Sequence, residues 1–262
     1  MNVPKEHYHL LDALRGFALL HMLAFHFCYD LIVIFGQNYS WYRQPAVHFW
    51  QQFICISFLL LSGISWHFSR NNFKKGLLLN LYGLVITLVT YLAMPSQTVW
   101  FGILNCIGCC TLLTIPLGKF LSRFSQRTVS PKNIRHILSQ CAMLLGALFL
   151  FLLCRNITNG YLTYAAVRFP LPASLYQHPL MAIFGFPHAN FSSSDYFPIL
   201  PWFWLFLAGF FLWGLLSPYA KFRSCLRVRV PFLSAIGRKT IWIYLIHQPI
   251  LYLLAWLCHQ FR

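Results

Sequence analysis

Apolar stretches close to 20 residues long recur about seven times in this chain, separated by polar or basic breaks. A bilayer's hydrocarbon core demands that length of helix, because inside lipid every backbone N–H and C=O must find its partner within the segment. Spans are expected at about Leu10–Phe35, His48–Phe68, Gly76–Met94, Val99–Leu117, Ile137–Leu153, Leu200–Leu216 and Ser234–Leu257. The charge content agrees. Only 9% of the 262 residues are charged and 58% are apolar, whereas a soluble domain carries roughly 25% charged residues. Water cannot solvate a surface so poor in charge, so lipid must cover it. The expected fold is an all-α, polytopic transmembrane bundle, one domain over residues 1–262, with no separately folding soluble part. The first run contains Asp12 and Arg15 and lacks a small-residue cleavage site, so it reads as a span and not as a cleavable signal.

The basic residues orient it. With the N-terminus in the cytosol, that side holds Lys5, Arg70, Lys74, Lys75, Lys119, Arg123, Arg127, Lys132, Arg135, Lys221, Arg223, Arg227, Arg229, Arg238 and Lys239. The outer side holds Arg43, Arg155, Arg168 and Arg262. Fifteen against four, with Arg15 set aside inside the first span, satisfies the positive-inside rule. Seven spans then put the C-terminus outside. This describes a multi-pass protein of a bacterial inner membrane, with the bilayer as its main partner. The net charge of +16 is accounted for by orientation and anionic lipid, not nucleic acid. The long stretch from about Cys154 to Ile199 falls outside. Its aromatics (Tyr161, Tyr164, Phe169, Tyr176, Phe184 and Phe186) suit packing over a pocket or an interfacial belt.

Nine cysteines invite a metal or redox reading. Most lie within apolar runs, where cysteine behaves as a small hydrophobe. Cys106-x-x-Cys109 lacks the βαβ setting that a redox motif needs. No metal is expected.

The chemistry concentrates in the first span. On a helix turning about 100° per residue, Asp12 at zero places Arg15 near 300°, His26 near 320° and Asp30 near 0°. All four lie within an arc of about 60°, while His21 points the other way. Ionisable groups are costly in lipid, so this face belongs to the bundle interior or a wet cavity. Arg15 and His26 lie about 16 Å apart along the axis. That puts Asp12 and Arg15 near the cytosolic face, and His26 and Asp30 in the outer half. His26 and Asp30 are four residues apart and can meet, as a general base and its orienting carboxylate would. His247 and Asp195 are expected at the depth of His26, with Asn105 near mid-membrane and Trp202 just after Asp195. Arg238 joins Arg15 near the cytosolic rim, beside Gly237, where cations around a small-residue turn suit phosphates.

The stretch LLDALRGFALLHMLAFHFCYDL resembles the opening helix of the heparan-α-glucosaminide N-acetyltransferase catalytic-domain family, in its small bacterial branch. FLLLSGISWHFSR, FGILNCIGCC, DYFPILPWFWLFLAG and IGRKTIWIYLIHQPIL are similar to that branch's later segments, in order along the chain. The ten residues between Arg15 and His26 also resemble the Arg-x10-His pattern of the related membrane acyltransferase-3 family. The resemblance implies an integral-membrane acyltransferase. It would take an acyl group, typically acetyl, from cytosolic acyl-CoA and pass it to an amine or hydroxyl, often on a sugar, across the membrane. His26 with Asp30 would carry catalysis. Arg15, Asp12 and Arg238 would hold the donor. Asp195, His247, Trp202 and Asn105 would bind the acceptor. The chain departs from the family at two points. The family's proposed active histidine lies in the loop after the first helix, but Gly36–Val47 here contains none. The small branch often has histidine where Asn105 stands. From the residues alone, two other readings stay open: a proton-coupled transporter and a non-catalytic membrane scaffold. The acceptor, the acyl length and the oligomeric state are not legible.

Overall fold

The computed structural model describes residues 7–125 and 133–261. Lys5, Arg127, Lys132 and Arg262, used above for orientation, lie outside the described residues. Nine α-helices follow in chain order among the described residues: α1 His9–Tyr29, α2 Pro45–Ser65, α3 Asn72–Ala93, α4 Ile103–Ser125, α5 Ile134–Cys154, α6 Ile199–Leu216, α7 Ala220–Leu226, α8 Pro231–Arg238 and α9 Thr240–Gln260. Among the described residues seven helical segments are long and apolar enough to cross a membrane, and each overlaps an expected span.

The last expected span departs in its detail. The run from Ser234 to Leu257 is not one helix, because the chain breaks at Lys239 between α8 and α9. The break falls where α8 packs tightly on α1. A Cβ at Gly237 would lie 1.7 Å from Asp12 O, and one at Gly16 would lie 2.1 Å from Leu233 O. Helices α8 and α1 therefore touch backbone to backbone, as small residues permit in membranes. Ser234 Oγ donates to His9 O at 3.0 Å, and Thr240 Oγ1 takes up the Gly237 carbonyl at the break at 2.7 Å.

The expectation of an all-α chain also needs one correction. Residues Tyr161–Tyr164 (β1) and Val167–Pro170 (β2) form an antiparallel hairpin, pairing Leu162 with Phe169 and Thr163 with Arg168. The β-branched and aromatic side chains here favour a pleated strand. Ala165 turns the chain at φ 51°, the positive φ that a two-residue hairpin demands. The surrounding loop is stitched down. Tyr176 donates to Ile157 O at 2.5 Å, Tyr196 donates to Ala182 O, and the Arg168 guanidinium lies 4.9 Å over the Tyr161 ring.

The chain falls into two compact units, one made of Met1–Leu61 with Tyr219–Arg262, the other of Ser62–Pro218. In the first, α1 packs against α8 and α9. In the second, α3 pairs with α4 and α5 with α6. The α3–α4 seam is built on glycine. Gly83 faces the Asn105 carboxamide and Gly108 faces that of Asn80, so neither position has room for a Cβ.

Candidate active site

In the first unit, α1 and α9 bring His26 and His247 together. Their ring centroids are 5.1 Å apart and nearly edge-to-face. His247 is buried, and its Nδ1 lies 2.5 Å from Tyr244 O on the preceding turn. A carbonyl only accepts, so Nδ1 carries the proton and Nε2 presents a lone pair. That Nε2 is itself buried and accepts no hydrogen bond from the described residues. Two residues on, Pro249 sits within α9. It supplies no N–H, which leaves one carbonyl of the preceding turn without its helical donor.

Asp30 lies one helical turn beyond His26 and is fully buried. One oxygen accepts from Gln248 Nε2 of α9 at 2.8 Å, and the other has no partner among the described residues. The expected pairing of His26 with Asp30 does not form; the carboxylate is held by Gln248 and the imidazole by His247. The helical wheel placed His26 and Asp30 on one face correctly, but a wheel contains only one helix. Their actual partners come from the facing helix. Asp30 also starts a π-helical turn through Ile34, closed by Phe35 N to Asp30 O at 2.9 Å. Such single wide turns recur at functional sites.

Tyr42, in the loop after α1, was not singled out in the sequence. Burial first, then Tyr29, Cys28 and Asp30, push its phenol up to about 12. It therefore stays protonated and can act as a hydrogen-bond donor but not as a base. His21, on the opposite side of α1, accepts from Trp50 Nε1 at 3.0 Å and so ties α1 to α2.

At the other end of α1, Arg15 Nη1 donates to Asp12 Oδ1 at 2.6 Å, and His7 Nε2 lies 2.8 Å from Asp12 Oδ2. Gly237 seats on the Asp12 carbonyl, and Arg238 is the next residue in the chain. Asp12 and Arg15 pair directly, within one turn of α1.

Asn105, Asp195 and Trp202 belong to the second unit, and there each has a packing partner. Asn105 is buried and donates to Asn80 O at 3.2 Å, locking α3 to α4. A carboxylate oxygen of Asp195 lies 3.4 Å from the Cβ position of Gly102, at the start of α4, where helix polarity favours negative charge. The backbone around it is sewn to the Gln97–Phe101 loop, including Phe197 N to Phe101 O at 3.0 Å. Trp202 packs against Phe151 and Phe197.

Among the described residues no group of three or more histidine, cysteine or acidic side chains is placed to hold a metal, and all nine cysteines are free. Cys106 faces Cys110 at 3.9 Å, one turn away on α4, and not Cys109. In comparisons with known proteins, the family described as heparan-alpha-glucosaminide N-acetyltransferase, catalytic, matches residues 7–130 and 133–249. No curated protein and no solved structure matches.

Proposed function

The chain belongs to the heparan-alpha-glucosaminide N-acetyltransferase catalytic family, and we propose that it moves an acetyl group from cytosolic acyl-CoA to an amine or hydroxyl on the far side of a bacterial inner membrane. Family membership and seven membrane-length helices make it a membrane-embedded acetyltransferase in the broad sense. The choice of acyl-CoA as donor, a sugar as acceptor and the outer face as the site of transfer is our reading.

The observation that carries it is the pair His26–His247, with the His247 Nε2 lone pair buried and unshared. Acyl transfer to an amine or hydroxyl needs a base that takes the acceptor's proton as the new C–N or C–O bond forms and the C–S bond of the thioester breaks. Two neighbouring imidazoles, one with its tautomer set by Tyr244, supply that base. His26 acts on the acceptor or carries the acyl group in passing, and His247 relays the proton. Asp30, held by Gln248, is the adjoining acceptor for a substrate hydroxyl or ammonium. About 16 Å down the same helix, Arg15 and Arg238 meet the donor's phosphates, and Asp12 fixes the fork of Arg15. The pantetheine arm bridges that distance.

The test combines binding and turnover. Acetyl-CoA titrated into detergent-solubilised protein should bind saturably, and Arg15→Ala should weaken it at least tenfold. His26→Ala and His247→Ala should retain donor binding and lose turnover by a factor of 100 or more, on the order of general-base catalysis. Full acyl transfer in both histidine variants would remove the mechanism. Absence of binding by any acyl-CoA would remove the function.

A further inference from the structure

In the second unit an open cavity of about 400 Å³ lies where the second candidate span ends at Phe68, the third begins at Asn72 and the fourth ends at Phe120. It therefore sits at the membrane–water boundary. Its wall includes Trp66, Arg70, Asn72, Phe73, Ile115 and Lys119. We propose that this cavity binds the phosphate headgroup of an anionic phospholipid that carries a headgroup hydroxyl, as phosphatidylglycerol does.

Three features define the ligand. Arg70 and Lys119 set two cations on one cavity with no acidic residue in its lining, and Arg70 makes no hydrogen bond or ion pair with the described residues. That calls for an anion, and a guanidinium with an ammonium suits phosphate. Asn72 lines the cavity and donates through Nδ2 to Trp66 O at 3.1 Å, and its Oδ1 is buried and accepts nothing from the described residues. Oδ1 is a pure acceptor. A headgroup hydroxyl satisfies it, whereas an ammonium headgroup would meet two like charges. The third feature is the way out of the cavity. Phe73, Leu77 and Leu81 follow one another at four-residue intervals on α3 and are 63%, 58% and 53% exposed. They form an apolar strip that starts at the cavity rim and runs along the span. Acyl chains would lie along it; a water-soluble phosphate compound has no use for it. Trp66 lines the cavity, with Nε1 bonded to Thr111 O at 3.2 Å and its ring seated where a Cβ on Gly118 would come within 3.0 Å.

The test is native mass spectrometry on delipidated protein titrated with dioleoyl lipids. Phosphatidylglycerol should fill one site saturably and phosphatidylcholine should not compete for it. Phosphatidylmethanol, which keeps the charge and lacks the hydroxyl, should bind several-fold more weakly than phosphatidylglycerol. Arg70→Gln and Lys119→Gln should each weaken phosphatidylglycerol about tenfold. The lipid-free melting temperature of Arg70→Gln should match wild type, since Arg70 is exposed and bonded to nothing described. Equal affinity for phosphatidylglycerol and phosphatidylcholine, or unchanged affinity in the double variant, would overturn the proposal. Displacement of the lipid from this cavity by coenzyme A or inorganic phosphate at lower concentration would assign it to a soluble phosphate and overturn the lipid reading as well.

Discussion

Removing the Gln248 amide puts the assignment of Asp30 to its sharpest test. Asp30 is fully buried, accepts one hydrogen bond at 2.8 Å and has a second oxygen with no partner among the described residues. Gln248→Met keeps the side-chain volume and takes away the donor. In a soluble protein, loss of a hydrogen bond to a charged group costs about 1.5–3 kcal/mol. Between membrane helices the measured average is nearer 0.6 kcal/mol with a maximum near 1.7, because the unfolded chain in lipid finds other partners. Asp30 has no second donor among the described residues, so the expected loss lies at the upper end, about 1.5 kcal/mol. A double-mutant cycle isolates it: wild type, Gln248→Met, Asp30→Ala and the double variant, unfolded by SDS in mixed micelles. Once Asp30 is gone, Gln248→Met should cost little, giving a coupling of about 1–1.5 kcal/mol. Acetyl transfer measured on the same four proteins should fall at least tenfold in Gln248→Met, and the double variant should be no worse than Asp30→Ala alone. Coupling below about 0.3 kcal/mol, the scatter of independent sites, would refute the reasoning. The carboxylate would then be held by something other than Gln248.

Three further outcomes follow from the packing and the electrostatics. Gly237→Val should destabilise the α1–α8 contact by about 1–3 kcal/mol or more, since even a Cβ would stand 1.7 Å from Asp12 O; reduced monodispersity on size-exclusion chromatography with loss of acetyl-CoA binding is the readout. Asn105→Ala should cost about 0.6–1.7 kcal/mol of stability in the same SDS assay and leave the KM for acceptor unchanged, because its amide is spent on Asn80; a raised KM would return it to the acceptor site. Burial chiefly raises the Tyr42 phenol from the usual 10 to about 12, so its ionisation opposes folding: nothing is lost below pH 10, and stability falls as pH climbs from there through 12. Tyr42→Phe should therefore leave stability unchanged at neutral pH and remove that alkaline loss, as followed by thermal melts across the range.

The sequence by itself determined the elements and the class of chemistry. Helix length and apolar content are local properties, so each of the seven spans was legible from Leu10 onward. The line-up of Asp12, Arg15, His26 and Asp30 was legible for the same reason, since a helix repeats every 3.6 residues whatever surrounds it. The tertiary structure alone decided which side chains meet. Periodicity carries no information about the facing helix, so it joined His26 to Asp30 where α9 instead supplies His247 to one and Gln248 to the other. Nor could it separate a polar residue kept for chemistry from one kept for packing. Asn105, against Gly83 and Asn80, and Asp195, beside the start of α4, each have packing neighbours that the periodicity of one helix does not contain. Gly237-Arg238-Lys239 offers a turn within the run from Ser234 to Leu257, and the seating of Gly237 on the backbone of α1 shows that the turn is used.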